Sequence, residues 1–197
     1  MTPEPSAFRQ MSDAGLLKAA AGGSHAAFAE IASRHYQPVY RLVWRMTNGA
    51  ADAEDMAQEA FVKLWQNPAQ VREAAALKGW LMRVAANAAI DRSRKPRGAA
   101  LDEAPEVADP QARPDAPLDR EQAARLVDAR IAALPERQRL ALSLVYFEGL
   151  SNIEAAAVLE VSVDALESLL ARARRGLKES LSAGWRELLG GLAETGQ

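Results

Sequence analysis

Four prolines, Pro105, Pro110, Pro114 and Pro117, fall within Gly98 to Asp119 among acidic residues and alanines, and no helical periodicity runs through them. Proline removes a backbone donor and pushes the residue before it out of helical conformations, so this stretch reads as a linker. It divides the chain into a tail at residues 1–11, a first domain at 12–97, a flexible acidic linker at 98–118, a second domain at 119–183 and an extension at 184–197. Each domain lies near the lower end of what folds alone, so each needs closely packed helices. The hydrophobic content of 49% is enough for real cores. No window alternates apolar and polar residues long enough for a sheet, so the expected fold class is all-α, two small helical domains.

In the first domain, Ala53, Met56, Ala57, Ala60, Phe61, Leu64 and Trp65 recur at helical spacing while Glu54, Asp55, Gln58, Glu59 and Lys63 fall on the other face. This predicts an amphipathic helix over Asp52–Gln66 with an acidic outer stripe, stopped at Asn67-Pro68. A second helix is expected from about Leu77 to Ser93, burying Leu81, Val84, Ala85, Ala88 and Ile90. An earlier helical stretch supplies Phe28, Ile31, Tyr36, Val39, Tyr40, Val43 and Met46.

The second domain opens with a helix over Glu121–Ala133. Leu134-Pro135-Glu136 breaks it and starts the next, which runs to about Phe147. Gly149 provides a stop, and Ser151-Asn152-Ile153-Glu154 has the residues of a capping box. After the short helix that follows, Ser162 can cap another beginning Val163-Asp164-Ala165, with Asp164 near the positive end of the helix dipole. Short helix, brief turn and capped helix make a helix-turn-helix, held by Ala156, Val158, Leu159, Val161 and Leu166. Its second helix would enter a DNA major groove. That helix offers Glu167, Ser168, Ala171, Arg172 and Arg175 outward, and its cluster of Arg172, Arg174, Arg175 and Lys178 suits either phosphates or a solvated helix end.

Charge is segregated although the net value is only −2. Lys78, Arg83, Arg92, Arg94, Lys95 and Arg97 face Asp91 alone between positions 78 and 97. Asp102, Glu103, Glu106, Asp109, Asp115 and Asp119 dominate the linker against Arg113. The chain has no cysteine and only two histidines, His25 and His35, to which no role is assigned, so no metal or other cofactor is expected. No phosphate loop or Ser-His-acid set is present, which argues against an enzyme. Without an apolar run approaching the ~20 residues of a membrane helix or a leader pattern, the expected location is the cytoplasm.

Two groups of residues resemble the sigma-70 family of RNA polymerase sigma factors, in its extracytoplasmic-function (ECF) group. The run Asp52-Ala53-Glu54-Asp55-Met56-Ala57-Gln58-Glu59-Ala60-Phe61, then Gly79-Trp80-Leu81 with Arg83, Ala86-Asn87, Asp91 and Arg94, is similar to family regions two-one to two-four. Leu134-Pro135-Glu136-Arg137-Gln138-Arg139, Glu148-Gly149-Leu150-Ser151 and the helix pair are similar to region four. The resemblance implies a protein that binds core RNA polymerase, at the beta-prime clamp coiled coil and the beta flap, and directs it to promoters. An anti-sigma factor would hold it inactive until stress.

Residue roles follow from the same resemblance. Glu54, Asp55, Gln58 and Glu59 would dock on the polymerase, though a merely solvated face has the same composition. Lys78, Arg83, Arg92, Arg94 and Lys95 would neutralise phosphates at the minus-ten element, with Asn87 and Asp91 bonding to base edges or serving the helix itself. Trp80 and the loop Asn67–Ala76 are candidates for holding exposed bases, although a tryptophan in such a setting is more often part of the core. With few aromatics there, melting should be weak and promoter choice stringent. In region four, Arg137 and Arg139 would grip phosphates while Glu167, Ser168, Ala171, Arg172 and Arg175 read the minus-thirty-five element. The chain departs from the common pattern at three positions. Glu167 stands where relatives carry a basic residue, Leu169 where arginine is frequent and Glu160 where a turn glycine is usual. Glu167 can accept from a cytosine amino group or pair with Arg174 or Lys178.

The stripe Leu177, Leu181, Trp185, Leu188 and Leu189 either packs on its own domain or docks an inhibitory partner. The alternative function is a stand-alone helix-turn-helix transcriptional regulator. Such a protein must bind DNA unaided, which a net acidic chain with an acidic linker explains less well.

Overall fold

The computed structural model describes residues 8–71, 76–94 and 118–194, with side chains described for 8–71, 76–93 and 125–182. The linker expected at 98–118 lies outside them except for its last residue. Described residues outside turns and caps are helical. The first unit holds α1 (Asp13–Ala21), α2 (His25–Thr47), α3 (Ala53–Gln66), a short 3-10 turn (Pro68–Gln70) and α4 (Leu77–Arg94). The second holds α5 (Leu118–Ala132), α6 (Glu136–Leu142), a π turn (Ser143–Phe147), α7 (Asn152–Leu159) and α8 (Val163–Glu194).

Helix starts follow local chemistry. Ser12 and Ser24 accept from the amides of Gly15 and Ala27 and so cap α1 and α2. At the start of α3, Asp52 occupies the cap position, but its carboxylate makes no capping bond and pairs with Arg92 of α4 instead. Pro38 lies inside α2, where a missing donor costs about 3 kcal/mol. The buried stripe Ala27, Ile31, Val39, Leu42, Val43 and Met46 offsets that, each large apolar side chain contributing about 1.5–3 kcal/mol. Helix α2 ends at Asn48, whose φ of 54° and following Gly49 at 76° turn the chain sharply into α3.

Helices α2, α3 and α4 bury Ile31, Val39, Val43, Ala57, Ala60, Phe61, Leu64, Leu81 and Ala85 as the periodicity predicts, whereas Val84, Ala88 and Ile90 of α4 are only half-buried against the same core. Aromatic contacts close the α2–α3 seam, with Tyr36 against Phe61 and Phe28 against Trp65. The His25 ring lies tilted against Trp65 with centroids 4.7 Å apart, and His35 bonds to Asp13 at 2.9 Å, so both histidines make contacts within the first unit. Arg34 ties the tail down by donating to the carbonyls of Phe8, Arg9 and Met11.

In the second unit the helix expected to reach Phe147 does so by changing pitch, its last five residues forming the π turn. Gly149 at φ 68° reverses the chain. The capping box is complete, with Glu154 N–H donating to Ser151 Oγ and Ser151 N–H to Glu154 Oε2 at 2.8 Å. Leu177 packs on the small cluster of Ile131, Leu134, Leu142 and Ala173, as expected for its own domain. The side chains of Trp185, Leu188 and Leu189 lie outside the described residues.

The two units do not stand apart. Leu140, Leu144, Leu150, Ala155, Val158, Leu166 and Leu170 belong to the same continuous apolar cluster as the first unit's core.

Candidate functional site

Helix α3 presents Glu54, Asp55, Gln58 and Glu59 as one exposed stripe. Gln58 donates to Glu54 at 3.1 Å and Lys63 pairs with Glu59 at 2.7 Å, bonds one turn apart that order the stripe along the helix. Tyr36 of α2 lies under its start. Burial raises the Tyr36 hydroxyl above its ordinary pKa, and the Glu54 carboxylate adds to that.

Helix α7, the Glu160–Ser162 turn and α8 form the helix pair. Ala155, Ala156, Val158, Leu159, Leu166 and Leu170 fill its seam. Ser162 caps α8 through the Ala165 amide at 3.2 Å. The outer side of α8 carries Glu167, Ser168, Ala171, Arg172 and Arg175 together, all exposed. Glu167 accepts from Asn152 of α7 at 3.3 Å, so the expected pairing with Arg174 or Lys178 gives way to a bond across the helix pair. Arg174 bonds back to the Leu170 carbonyl. Glu160 adopts φ 54°, a left-handed conformation that glycine reaches more easily, and its backbone N–H caps α7.

Two expected nucleic-acid contacts are placed elsewhere. Trp80 is 8% exposed and belongs to the core, where its indole gains more from apolar contact than from solvent. Arg139 is 9% exposed and donates to the carbonyl of Ala132 and to Asn48 Oδ1, and burial lowers its pKa. Its guanidinium satisfies carbonyls at a helix end rather than facing phosphate. Arg137 remains exposed while donating to the Leu159 carbonyl.

Along α4, Asn87, Asp91 and Arg92 are exposed, Lys78 and Arg83 half-buried. The side chain of Arg94 and all of Lys95 lie outside the described residues, as do residues 72–75 of the expected base-holding loop. The half-buried cations meet the second unit. Lys78 Nζ donates to the Glu148 carbonyl, Arg83 lies 3.5 Å from Glu160, and Ser93 donates to Glu136 at 2.6 Å.

Residues that the sequence reading missed complete this seam. The Glu148 side chain is only 1% exposed and is bridged by Arg45 at 2.9 Å and Arg41 at 3.3 Å, both from α2. The Arg45 guanidinium also lies over the Phe147 ring, 4.1 Å from its centroid. Arg41 and Arg45 are one turn apart beside the apolar stripe of α2, which marks them as neighbours of the core edge. Nothing local in the sequence links them to a glutamate about a hundred positions away.

Residues 31–98 match the family described as Sigma-70 region 2, and residues 124–177 match Sigma-70, region 4. The ECF RNA polymerase sigma factor SigM of Mycobacterium tuberculosis is 31% identical over 87% of this chain and 86% of its own length. The chain belongs to the sigma-70 family, in its ECF group. A probable RNA polymerase sigma factor of Xanthomonas campestris, RfaY, is 33% identical over 84% of the chain, which spans 43% of that longer relative. The solved structure of CnrH in complex with the cytosolic domain of CnrY superposes with a TM-score of 0.67, at 27% identity over 88% of the chain and 99% of that one. A sigma factor of this group thus carries region 2 on α2 to α4 and region 4 on α5 to α8. A stand-alone regulator with one helix-turn-helix has no counterpart of the first. Among the described residues no helix is long and apolar enough to cross a membrane.

Proposed function

We propose that this sigma factor binds core RNA polymerase through the acidic stripe of α3 and directs initiation at promoters whose two elements are read by α4 and α8. The supporting observation is the separation of surfaces. The acidic stripe Glu54, Asp55, Gln58 and Glu59 and the basic outer face of α8 are both exposed, on different helices, and neither is needed to hold the core. An acidic stripe suits a protein partner and opposes DNA, whereas arginines on a groove-sized helix suit DNA. Each surface therefore takes a different ligand.

In this reading the first domain occupies residues 12–97 and the second 119–183. Arg172, Ser168 and Glu167 contact bases of the upstream element, with Ala171 in apolar contact and Arg175 and Arg137 on phosphates. Asn87, Asp91, Arg92, Arg94 and Lys95 meet the downstream element, joined by Lys78 and Arg83 once freed from the second unit. The factor supplies specificity and the polymerase the chemistry. The proposed location is the cytoplasm, where both polymerase and promoter are.

Regulation by an anti-sigma protein is part of the proposal. The related CnrH was solved with the cytosolic domain of CnrY, and RpoE of Bartonella quintana, similar in fold, with the anti-sigma factor NepR. The exposed apolar side chains of Tyr146, Phe147 and Ile153, on the second unit beside the seam, offer such a partner a surface.

Run-off transcription with purified core polymerase tests the function. Added factor should produce transcripts from defined starts, and Asp55→Lys with Glu59→Lys should abolish core binding in a pull-down while the circular dichroism of the helices is unchanged. Retained affinity in the reversed variant would remove α3 from the docking role. Duplex binding by the factor alone, without initiation, would favour the stand-alone regulator.

A further inference from the structure

The end of α2, the turn into α3, the end of α4 and α6 come together around a cavity of about 190 Å³. Met46, Ala50 and Ala89 give it an apolar wall, and Asn48, Asp52 and Arg139 a polar one. Arg139 reaches it from α6 with 9% of its surface exposed. One guanidinium nitrogen donates to Asn48 Oδ1 at 3.1 Å and to the Ala132 carbonyl, both neutral acceptors. Its Nε N–H, which is buried, meets no protein acceptor. Burial lowers the Arg139 pKa, and Glu136, one turn back in α6, offsets this only at longer range because its carboxylate bonds to Ser93. Asp52 has the complementary shortage. Arg92 of α4 balances its charge at Oδ2, while Oδ1 is buried and accepts from no protein donor.

An unmet donor and an unmet acceptor in one cavity ask for opposite groups from a ligand. A buried guanidinium with only neutral acceptors gains most from an anion, because charge-assisted bonds are roughly twice as strong as neutral ones. Water offers an acceptor without charge and leaves that need unmet. Asp52 is already ion-paired, so a neutral hydroxyl suits Oδ1 better than a second cation. The volume sets the size, since a cavity of ~150 Å³ takes one benzene ring.

We propose that this cavity is a binding site for a small α-hydroxy carboxylate, whose carboxylate accepts from Arg139 Nε and whose hydroxyl donates to Asp52 Oδ1. The short carbon chain lies against Met46, Ala50 and Ala89. Walls from both units close the site, so a bound ligand stabilises the folded chain by mass action. The inference rests on the cavity and its two unmet groups, and it stands whether or not the chain initiates transcription.

Sodium L-lactate serves as the probe. Acetate lacks its hydroxyl, lactamide lacks its charge, and glycine carries an ammonium in place of the hydroxyl. In calorimetry of the full chain at constant ionic strength, L-lactate at about 10 mM should raise the unfolding midpoint by about 2–4 °C. Acetate should raise it less, and lactamide and glycine least. Ala50→Leu, at a half-buried position of the wall, fills the cavity while leaving Arg139 and Asp52 in place, and should lose the lactate shift. Arg139→Gln should lose it too, and if that variant does not fold Ala50→Leu decides. Lys18→Gln, at an exposed position on α1, makes the same change of charge and should keep the shift. Saturation-transfer NMR on the lactate methyl should detect binding to the native chain and not to Ala50→Leu.

No shift with any probe overturns the site and leaves a cavity that holds water only. A lactate shift that survives Ala50→Leu overturns it as well, since the anion then binds elsewhere. Equal shifts from lactate and acetate overturn the role of Asp52. A glycine shift larger than that of lactate overturns the choice of a hydroxyl.

Discussion

Ser151 and Glu154 show how a pair of side chains sets a helix boundary and makes it sensitive to pH. The Ser151 hydroxyl and then its backbone N–H hold the Glu154 carboxyl below its ordinary pKa. The cap is therefore fully present above the ordinary glutamate range and is lost as pH falls through the lower, folded value. Carboxyl chemical shifts followed by pH titration should give a Glu154 midpoint below that of a free glutamate, moving up in Ser151→Ala. That substitution should also cost about 1 kcal/mol at neutral pH in urea unfolding. A midpoint indifferent to residue 151 would mean the box does not persist in solution. The same four-residue pattern was readable in the sequence because a capping box is local. The fate of Asp52 was not, because its choice between an amide three residues on and Arg92 depends on how α4 crosses α3.

At the scale of the element, the helix pair was placed from its turn residues and apolar spacing, and its boundaries follow from caps at Ser151, Ser162 and Glu160. What periodicity could not assign was the use of charged residues with two available partners. Glu167 turns to Asn152 rather than along its own helix, and Arg139 turns inward to the Ala132 carbonyl and Asn48. Each is decided by which unsatisfied group the neighbouring element brings within reach. Arg172, by contrast, is exposed on the outward side of α8. Arg172→Ala should weaken transcription from a cognate promoter by about ten- to a hundredfold, in line with ~1–3 kcal/mol for a bidentate base contact. Arg174→Ala, which removes a side chain bonded to its own helix, should do less. Equal effects from the two in run-off assays would count against α8 as the reading element.

For the whole molecule, the decisive feature is that two units separated by a proline-rich stretch share an apolar cluster and a charged seam. Gly79 lies where α4 meets α7, since a Cβ there would sit 3.6 Å from the Val158 side chain, in contact with it and with no room for a larger group. Gly79→Leu should wedge α4 from α7, and calorimetry should then resolve two unfolding transitions where the native chain shows one at low salt. A single transition in the variant would mean the units cooperate through some other contact.

By itself the sequence determined the helical class, the positions of α3, α4 and the helix pair, and the division into two units. All of these rest on spacing, caps and breakers that act within about four residues. Only the tertiary structure decided that Trp80 and Arg139 turn inward and that Arg41 and Arg45 meet Glu148. It also decided that the second unit rests on the basic side of the first. Such contacts depend on surfaces brought together from distant parts of the chain, and there desolvation and charge pairing outweigh any local preference.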